Sequence, residues 1–203
     1  CVISARALKL AGEAVEPGVT TGEIDRLIRR YIESQGATPS FLGYGGYPAS
    51  ACISVNETVI HGIPDNRVIK AGDIVSIDVG VEYNGWQGDA ARTFMIGEVS
   101  EEKKRLVKVT EECFFKAIEN LKDGTPIGDI GFKVQSHAEA NGFSVVRALV
   151  GHGIAGGIVA GRIFIAGHSV LHAQNKVPGI VIHTANMDFP AVLITRIISP
   201  NPS

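Results

Sequence analysis

Apolar side chains recur at helical spacing in two separate stretches of the chain. In the first stretch they fall at i, i+3, i+4, i+7 and i+8, the pattern of an amphipathic helix. These residues are Ile24, Leu27, Ile28, Tyr31 and Ile32. Thr20 and Glu23 precede them at the spacing of a capping box, so we expect the helix to begin there. In the second stretch Ser100 opens a longer helix, whose apolar residues are Leu106, Val109, Cys113, Ala117 and Leu121.

A different pattern, with alternating apolar residues, predicts a β-hairpin in the middle of the chain. Its strands are expected at 73–82 and 86–96, joined by the two-residue turn Asn84-Gly85, whose composition favours type I′ geometry. A further strand is expected at 51–55. In the first hairpin strand the odd-numbered positions from 75 to 81 carry apolar side chains and occupy one face of the sheet.

Two helix–helix–strand passages of the chain align with each other at a constant offset of 106 residues. The second passage contains a helix with Thr125 as its N-cap and a strand at 143–150. The coinciding pairs are Ala11/Ala117, Gly18/Gly124, Gly22/Gly128, Glu23/Asp129, Ile24/Ile130, Ile28/Val134 and Gly36/Gly142. We therefore expect one domain built from two pseudo-symmetric halves, about 1–98 and 99–203, with a cleft between them that suits a ligand.

The sharpest chemical feature is the pair Asp78 and Asp89. Across a two-residue turn, residue i faces residue 169 − i, so Asp89 lies opposite Gly80 and Asp78 lies opposite Ala91. Both carboxylates then share one face of the sheet as diagonal neighbours, about 7 Å apart at Cα. Gly80 is expected to leave room between them. Such a pair can bridge one or two divalent metal ions; the alternative is two solvated aspartates on an open sheet.

Two histidines are further candidates for chemistry. His152 is flanked by Gly151 and Gly153 directly after a predicted strand, a position where the backbone can turn and offer the imidazole to a metal. His61 also follows a strand and a turn, and could donate a hydrogen bond to a substrate carbonyl or amide. The structural alternatives are a packed histidine and a histidine that stabilises a turn.

Composition narrows the class of partner and the compartment. The net charge of −2 leaves no basic stripe for nucleic acid or an anionic membrane. The most apolar stretch, 153–171, carries Arg162 and several glycines, which argues against a membrane span. Three cysteines at unrelated spacings do not form a disulfide framework, and no signal-peptide pattern opens the chain. We expect a cytoplasmic protein.

Several motifs recur in the order and spacing of the type I methionine aminopeptidases, and the chain resembles that family over roughly residues 7–154. The motifs are Gly46-Tyr47-Pro48, Cys52-Ile53-Ser54-Val55-Asn56-Glu57, His61-Gly62-Ile63-Pro64, Gly72-Asp73-Ile74-Val75, Ile77-Asp78-Val79, Gly88-Asp89 and Gly151-His152-Gly153-Ile154. The resemblance implies an α+β pita-bread fold, with two pseudo-symmetric α-α-β halves around a curved antiparallel sheet. That fold agrees with the repeat found above.

The same resemblance implies the function and the site. It makes the chain an aminopeptidase, a metalloprotease that removes the N-terminal methionine from nascent polypeptides, with the ribosome as a further candidate partner. It implies that Asp78, Asp89 and His152 are metal ligands for two divalent ions, Co, Mn, Fe or Zn. His61 would contact the scissile substrate, and the methionine pocket would be lined by Tyr44, Tyr47 and Cys52. A thioether suits such a soft, aromatic-lined pocket.

Beyond Ile154 the sequence follows the family only in fragments, and 155–203 is expected to diverge. Ile165 stands where the family has a second histidine, while Ala185 and Pro190 stand near its two further glutamate ligands. This departure keeps an alternative open, a catalytically impaired pita-bread paralogue that binds peptides or proteins. A relative of the creatine or proline peptidases is a third possibility, which the residues around His61 and Cys52 disfavour.

Overall fold

The structure, a computed structural model, describes most of the first 146 residues and several short strands beyond them. The described residues are 2–122, 125–146, 152–153, 165–166, 169–173 and 180–182. His152–Gly153 (β6) and Ile165–Ala166 (β7) pair with each other as a two-stranded sheet. Phe143–Val146 (β5), Ser169–Ala173 (β8) and Ile180–Ile182 (β9) form a three-stranded sheet in the order β5-β8-β9. The remaining predicted features after Val146, including the end of the strand at 143–150, lie outside the described residues.

Four α-helices carry most of the apolar periodicity. They are Val2–Ala14 (α1), Thr21–Ser34 (α2), Glu101–Ile118 (α3) and Ile127–Ala140 (α4). The predicted capping box is confirmed: the Thr20 side chain accepts from the Glu23 amide, and the Glu23 carboxylate accepts from the Thr20 amide. Ser100 likewise accepts from the Lys103 amide at the start of α3.

The start of α4 differs from the prediction. Pro126, and not Thr125, occupies the N-cap position, and it makes no side-chain capping bond. The Thr125 hydroxyl instead accepts a hydrogen bond from the Lys122 amide, which closes the preceding turn. A threonine hydroxyl can accept a hydrogen bond from an amide of the helix or from an amide of the turn, and here it accepts from the turn.

The central sheet has four strands around the long strand β3. These strands are Thr38–Pro39 (β1), Ala51–Val55 (β2), Ile74–Tyr83 (β3) and Trp86–Met95 (β4). Both β1 and β2 pair with β3, and β4 pairs with β3 along its whole length, all antiparallel. The hairpin turn has φ of 52° at Asn84 and 80° at Gly85, the positive values that a type I′ turn needs. Tyr83 faces Trp86 and Ile74 faces Met95, so the predicted register is confirmed.

The two faces of β3 differ in chemistry. One face contributes Val75, Ile77, Val79 and Val81 to a buried apolar cluster with α1 and α2. The other face carries a row of hydroxyl groups next to a row with a carboxylate: Ser76 lies beside Ser54 and Thr93, and Asp78 beside Cys52 and Ala91. A second apolar cluster joins α3 and α4 to Ile74 and Phe143. Helices α1 and α2 thus cover one face of β3, whereas the other face packs on α3 and α4 at Ile74 and carries the candidate chemistry at Asp78.

Helix bounds agree with the internal repeat seen in the sequence. Helix α2 spans Thr21–Ser34 and α4 spans Ile127–Ala140, so both ends lie 106 residues apart. The division into two halves at about residue 98 stays a prediction. None of the described helices is long and apolar enough to cross a membrane.

Two glycines at equivalent positions of this repeat offer a matched test of the packing at the start of α2. A Cβ on Gly22 would lie 2.8 Å from the Asp65 backbone oxygen, whereas a Cβ on Gly128 would meet nothing within 4 Å among the described residues. We expect Gly22→Ala to lower the free energy of unfolding by about 1–3 kcal/mol, because a backbone segment must move. Gly128→Ala should leave it unchanged or raise it by up to about 1 kcal/mol.

Urea unfolding of both variants measures the difference. Equal effects of the two substitutions would show that the contact between α2 and Asp65 does not constrain the fold.

Candidate metal centre and substrate pocket

The hairpin brings Asp78 and Asp89 together on one face of the sheet. Asp78 lies opposite Ala91, and Asp89 lies opposite Gly80, as the sequence predicted. The two carboxyl groups are close enough to hydrogen-bond to each other. Asp78 is buried, with 4% of its surface exposed, and Asp89 is half-buried. Two acidic groups therefore share one small, poorly solvated space.

The environment of Asp78 disfavours its ionised form. Burial raises the pKa of Asp78 well above its usual range, and the charge of Asp89 and the hydrogen bond with it raise the pKa further. The Val79 amide, which donates to the carboxylate, opposes the shift only in part. A pair in this arrangement is stabilised by a shared proton or by a cation, since two buried like charges repel each other.

The donor set fits a divalent cation but is incomplete within the described residues. Two hard carboxylate oxygens side by side are the ligands that divalent ions prefer. No group of three or more His, Cys, Asp or Glu side chains that could hold a metal occurs in the part of the chain that the structure describes. His152 lies in β6 opposite Ala166, and its side chain is outside the described residues. Its role as a ligand stays a prediction.

Cys52 lies directly beside the aspartate pair. It faces Asp78 across the β2–β3 ladder and is 6% exposed. Burial, and then the negative charge of Asp78, raises the pKa of the Cys52 thiol to about 12. The thiol is therefore protonated at neutral pH, and it presents a soft, uncharged wall next to the carboxylates.

Tyr47 closes the same side of the site through its hydroxyl. The hydroxyl lies 3.1 Å from the Ala51 carbonyl oxygen and 3.0 Å from the Gly62 carbonyl oxygen. Burial, and then the contact with Cys52, raises the pKa of Tyr47, so the hydroxyl remains a proton donor. Both Tyr47 and Cys52 are therefore neutral at pH 7.

His61 sits on the loop that Tyr47 contacts. Its side chain is exposed, and its backbone is in the left-handed region with φ of 54°. The next residue, Gly62, is buried against β2. Tyr44, in contrast, is 82% exposed on the short turn Tyr44–Gly46, so the described structure does not draw it into the cluster of Tyr47, Cys52 and the aspartates.

The space beside Gly80 is filled and not open as the sequence suggested. A Cβ on Gly80 would lie 2.4 Å from Cε1 of Phe41 and under 3 Å from two further ring atoms. Gly80 is thus small because the Phe41 ring lies over it, on the face that carries Asp78 and Asp89. Phe41 is a wall residue that the sequence analysis missed; an aromatic residue before the glycine-rich loop was the available signal.

The fold is that of a known class of metallopeptidases. The chain belongs to metallopeptidase family M24, whose family model matches residues 1–178. Methionine aminopeptidase 1B, chloroplastic, of Arabidopsis thaliana is 45% identical over 193 residues, which are 95% of this chain and 51% of that protein. The chain spans 51–61% of the length of the first curated relatives it matches. The predicted resemblance to methionine aminopeptidases is confirmed, and these matches extend it beyond Ile154.

Solved structures place the chain in the pita-bread fold. Methionine aminopeptidase from Rickettsia prowazekii matches with a TM-score of 0.77 and 32% identity, covering 96% of this chain and 83% of that one. Xaa-Pro dipeptidase from Bacillus anthracis matches with a TM-score of 0.71 at 20% identity, covering 98% of this chain and 55% of that one. The second likeness shows a shared fold alone.

Replacement of one aspartate of the pair should weaken metal binding without destabilising the metal-free protein. We expect Asp89→Asn to weaken binding of Mn(II) at least tenfold, because an amide replaces one of two adjacent anionic ligands. The metal-free variant should be as stable as the parent protein or more stable, because the repulsion with Asp78 is gone. Calorimetric titration with Mn(II) and thermal unfolding of the stripped protein measure the two effects.

Glu82→Gln is the matched control, since Glu82 lies on the same face of β3 but bonds to the Gly85 amide at the turn. It should leave Mn(II) affinity unchanged. Unchanged affinity in Asp89→Asn would contradict the assignment of the pair as a metal site.

Proposed function

We propose that this chain carries the catalytic cleft of a methionine aminopeptidase, which hydrolyses the first peptide bond of a polypeptide and releases its N-terminal methionine. The observation that carries the proposal is the pair of buried Asp78 and half-buried Asp89 on one sheet face, beside the neutral side chains of Cys52 and Tyr47. A ligand site for a hard cation and a soft pocket for a side chain adjoin each other there. That juxtaposition suits an exopeptidase specific for an apolar first residue.

Asp78, Asp89 and His152 would hold the divalent metal, with two ions of Co, Mn, Fe or Zn as the proposed content. Bound divalent ions supply Lewis acidity, which polarises the scissile carbonyl and activates water. The aspartates contribute in two further ways. The burial of Asp78 limits the access of bulk water to its carboxylate, and the hairpin register keeps both carboxylates on one face of the sheet.

The methionine pocket in this proposal is lined by Tyr44, Tyr47 and Cys52, with Phe41 added by the structure. Tyr47 and Cys52 are both uncharged at neutral pH, because burial raises the pKa of each. An uncharged aromatic and sulfur surface accommodates a thioether without a desolvation cost. The exposed Tyr44 lies on a turn of three residues between Gly43 and Tyr47, where glycines in left-handed conformations allow it to move over a bound side chain.

His61 would donate a hydrogen bond to the carbonyl oxygen of the scissile bond. His61 is exposed, and it has a left-handed backbone next to Gly62, which is pressed against β2. Nascent polypeptide N-termini are the proposed substrates, the ribosome the proposed partner, and the cytoplasm the proposed compartment.

The first experiment is titration of the metal-stripped protein with Mn(II) and Co(II), followed by a cleavage assay with Met-Ala-Ser. We expect tight metal binding and release of methionine. Metal binding without release would favour the alternative of a peptide-binding paralogue. Absence of both would refute the proposed function.

His61 offers a sharper test of the catalytic role. Asparagine tolerates a left-handed backbone, so His61→Asn removes the imidazole without straining the loop. We expect kcat for Met-Ala-Ser to fall by about 10²-fold or more, with Mn(II) affinity unchanged. His137→Asn is the control, because His137 pairs with Glu112 between α3 and α4 and should leave kcat unaltered. An unaltered kcat in His61→Asn would remove His61 from the mechanism.

A further inference from the structure

We propose that Asp25, on helix α2, is a positioning residue for this site: its carboxylate fixes the start of β2, and through Ala51 and the Tyr47 hydroxyl it fixes the loop that carries His61. This inference rests on the proposed aminopeptidase function. It assigns a role to a residue that does not touch the metal site. Hydrogen bonds lead from α2 to the His61 loop in three steps.

The first step joins α2 to β2. A single oxygen of Asp25, Oδ1, accepts hydrogen bonds from the Ser50 amide at 2.9 Å and the Ala51 amide at 2.8 Å. Ser50 and Ala51 are fully buried. Because β2 begins at Ala51, the carboxylate determines where the strand leaves the glycine-rich loop.

The second step joins β2 to the His61 loop. The Tyr47 hydroxyl lies within hydrogen-bonding distance of the carbonyl oxygens of Ala51 and Gly62. The Ala51 amide therefore donates to Asp25, and the Ala51 carbonyl oxygen lies within hydrogen-bonding distance of the Tyr47 hydroxyl. The residue whose ring would line the methionine pocket thus also connects the strand to the loop through its hydroxyl.

The third step sets the position of His61 itself. Gly62 is held by its carbonyl, which also accepts from the Ile53 amide at 2.8 Å, and by its amide, which donates to Ser54 Oγ at 3.0 Å. A Cβ on Gly62 would lie 2.3 Å from the Ile53 carbonyl oxygen, so the loop lies directly on the strand. With Gly62 clamped on both sides, the adjacent His61 has little freedom at its backbone.

Burial of the Asp25 carboxylate has a desolvation cost that an apolar side chain at this position would not have. Burial raises the pKa of Asp25, and the Ser50 and Ala51 amides only partly oppose that rise. Hydrogen bonds from backbone amides to an ionised group are short and directional, which gives the strand a more exact placement than apolar packing. Precision at β2 matters because Cys52 and Ser54 both lie on it.

The test compares three substitutions in the complete, Mn(II)-loaded protein. Tyr47→Phe keeps the ring but removes the hydroxyl, and should lower kcat for Met-Ala-Ser about tenfold or more while KM changes by less than about twofold. Asp25→Ala should lower kcat at least as much. Asp25→Asn should restore most of the loss, because its amide oxygen can still accept both backbone bonds.

Ser50→Ala is the matched control. The Ser50 hydroxyl is buried and has no hydrogen-bond partner among the residues that the structure describes, whereas its backbone amide makes the bond to Asp25. Removing the hydroxyl should leave kcat and KM unchanged. The control separates the backbone network from side-chain packing at the same position.

Amide hydrogen exchange of the metal-free protein supplies a readout that does not depend on activity. In Tyr47→Phe we expect faster exchange at Ile53 and Gly62 with Ser50 and Ala51 still protected, whereas Asp25→Ala should accelerate all four. If the parent protein shows no cleavage, the proposed function fails. The exchange pattern still tests whether Asp25 and Tyr47 hold β2 and the His61 loop in place.

Two results would overturn the positioning role. One is an exchange pattern that is the same in Tyr47→Phe as in the parent protein. The other is an active parent whose Asp25→Ala variant unfolds at a lower temperature but keeps its kcat.

Discussion

The register between β3 and β4 is the constraint on which the site depends. Side chains alternate between the faces of a strand, so a slip of one residue would send one carboxylate into the apolar cluster under α1 and α2. The turn prevents this slip, because Asn84 and Gly85 both adopt the positive φ that a two-residue type I′ connection requires. Glu82, which accepts from the Gly85 amide, strengthens the turn. A short local motif thus controls the chemistry several residues away.

The candidate site also contains an unfavourable interaction, the repulsion between two neighbouring carboxylates. Asp78 and Asp89 repel each other in a poorly solvated space, and each must be partnered by a proton or a cation to be tolerated. Local conflicts of this kind concentrate at functional positions, where a binding partner resolves them. The neighbouring Cys52 and Tyr47 show the opposite strategy, since burial keeps both neutral and suited to an apolar ligand. The proposed cation site is thus acidic, whereas the proposed pocket beside it is neutral.

Connections between elements matter as much as the elements themselves. The Tyr47 hydroxyl and the Asp25 carboxylate tie a helix, a strand edge and two loops into one hydrogen-bonded unit. Loops usually carry function at the expense of order. Here the loop that carries His61 is held at Gly62 by bonds to Ile53 and Ser54 of β2, so the proposed catalytic group can be exposed and still be well placed. Tyr44 is the contrasting case, a loop residue that is exposed outside this hydrogen-bonded unit.

The sequence by itself determined whatever depends on local spacing: the capping box at Thr20, the hairpin register and hence the shared face of Asp78 and Asp89. These follow from periods of 3.6 and 2 residues and from one turn type. Only the tertiary structure decided which distant groups meet. The Phe41 ring fills the space that Gly80 had suggested was empty, and Asp25 reaches the start of β2 across 25 residues. Contacts of that kind depend on how a helix packs on a sheet, and no local pattern encodes that packing.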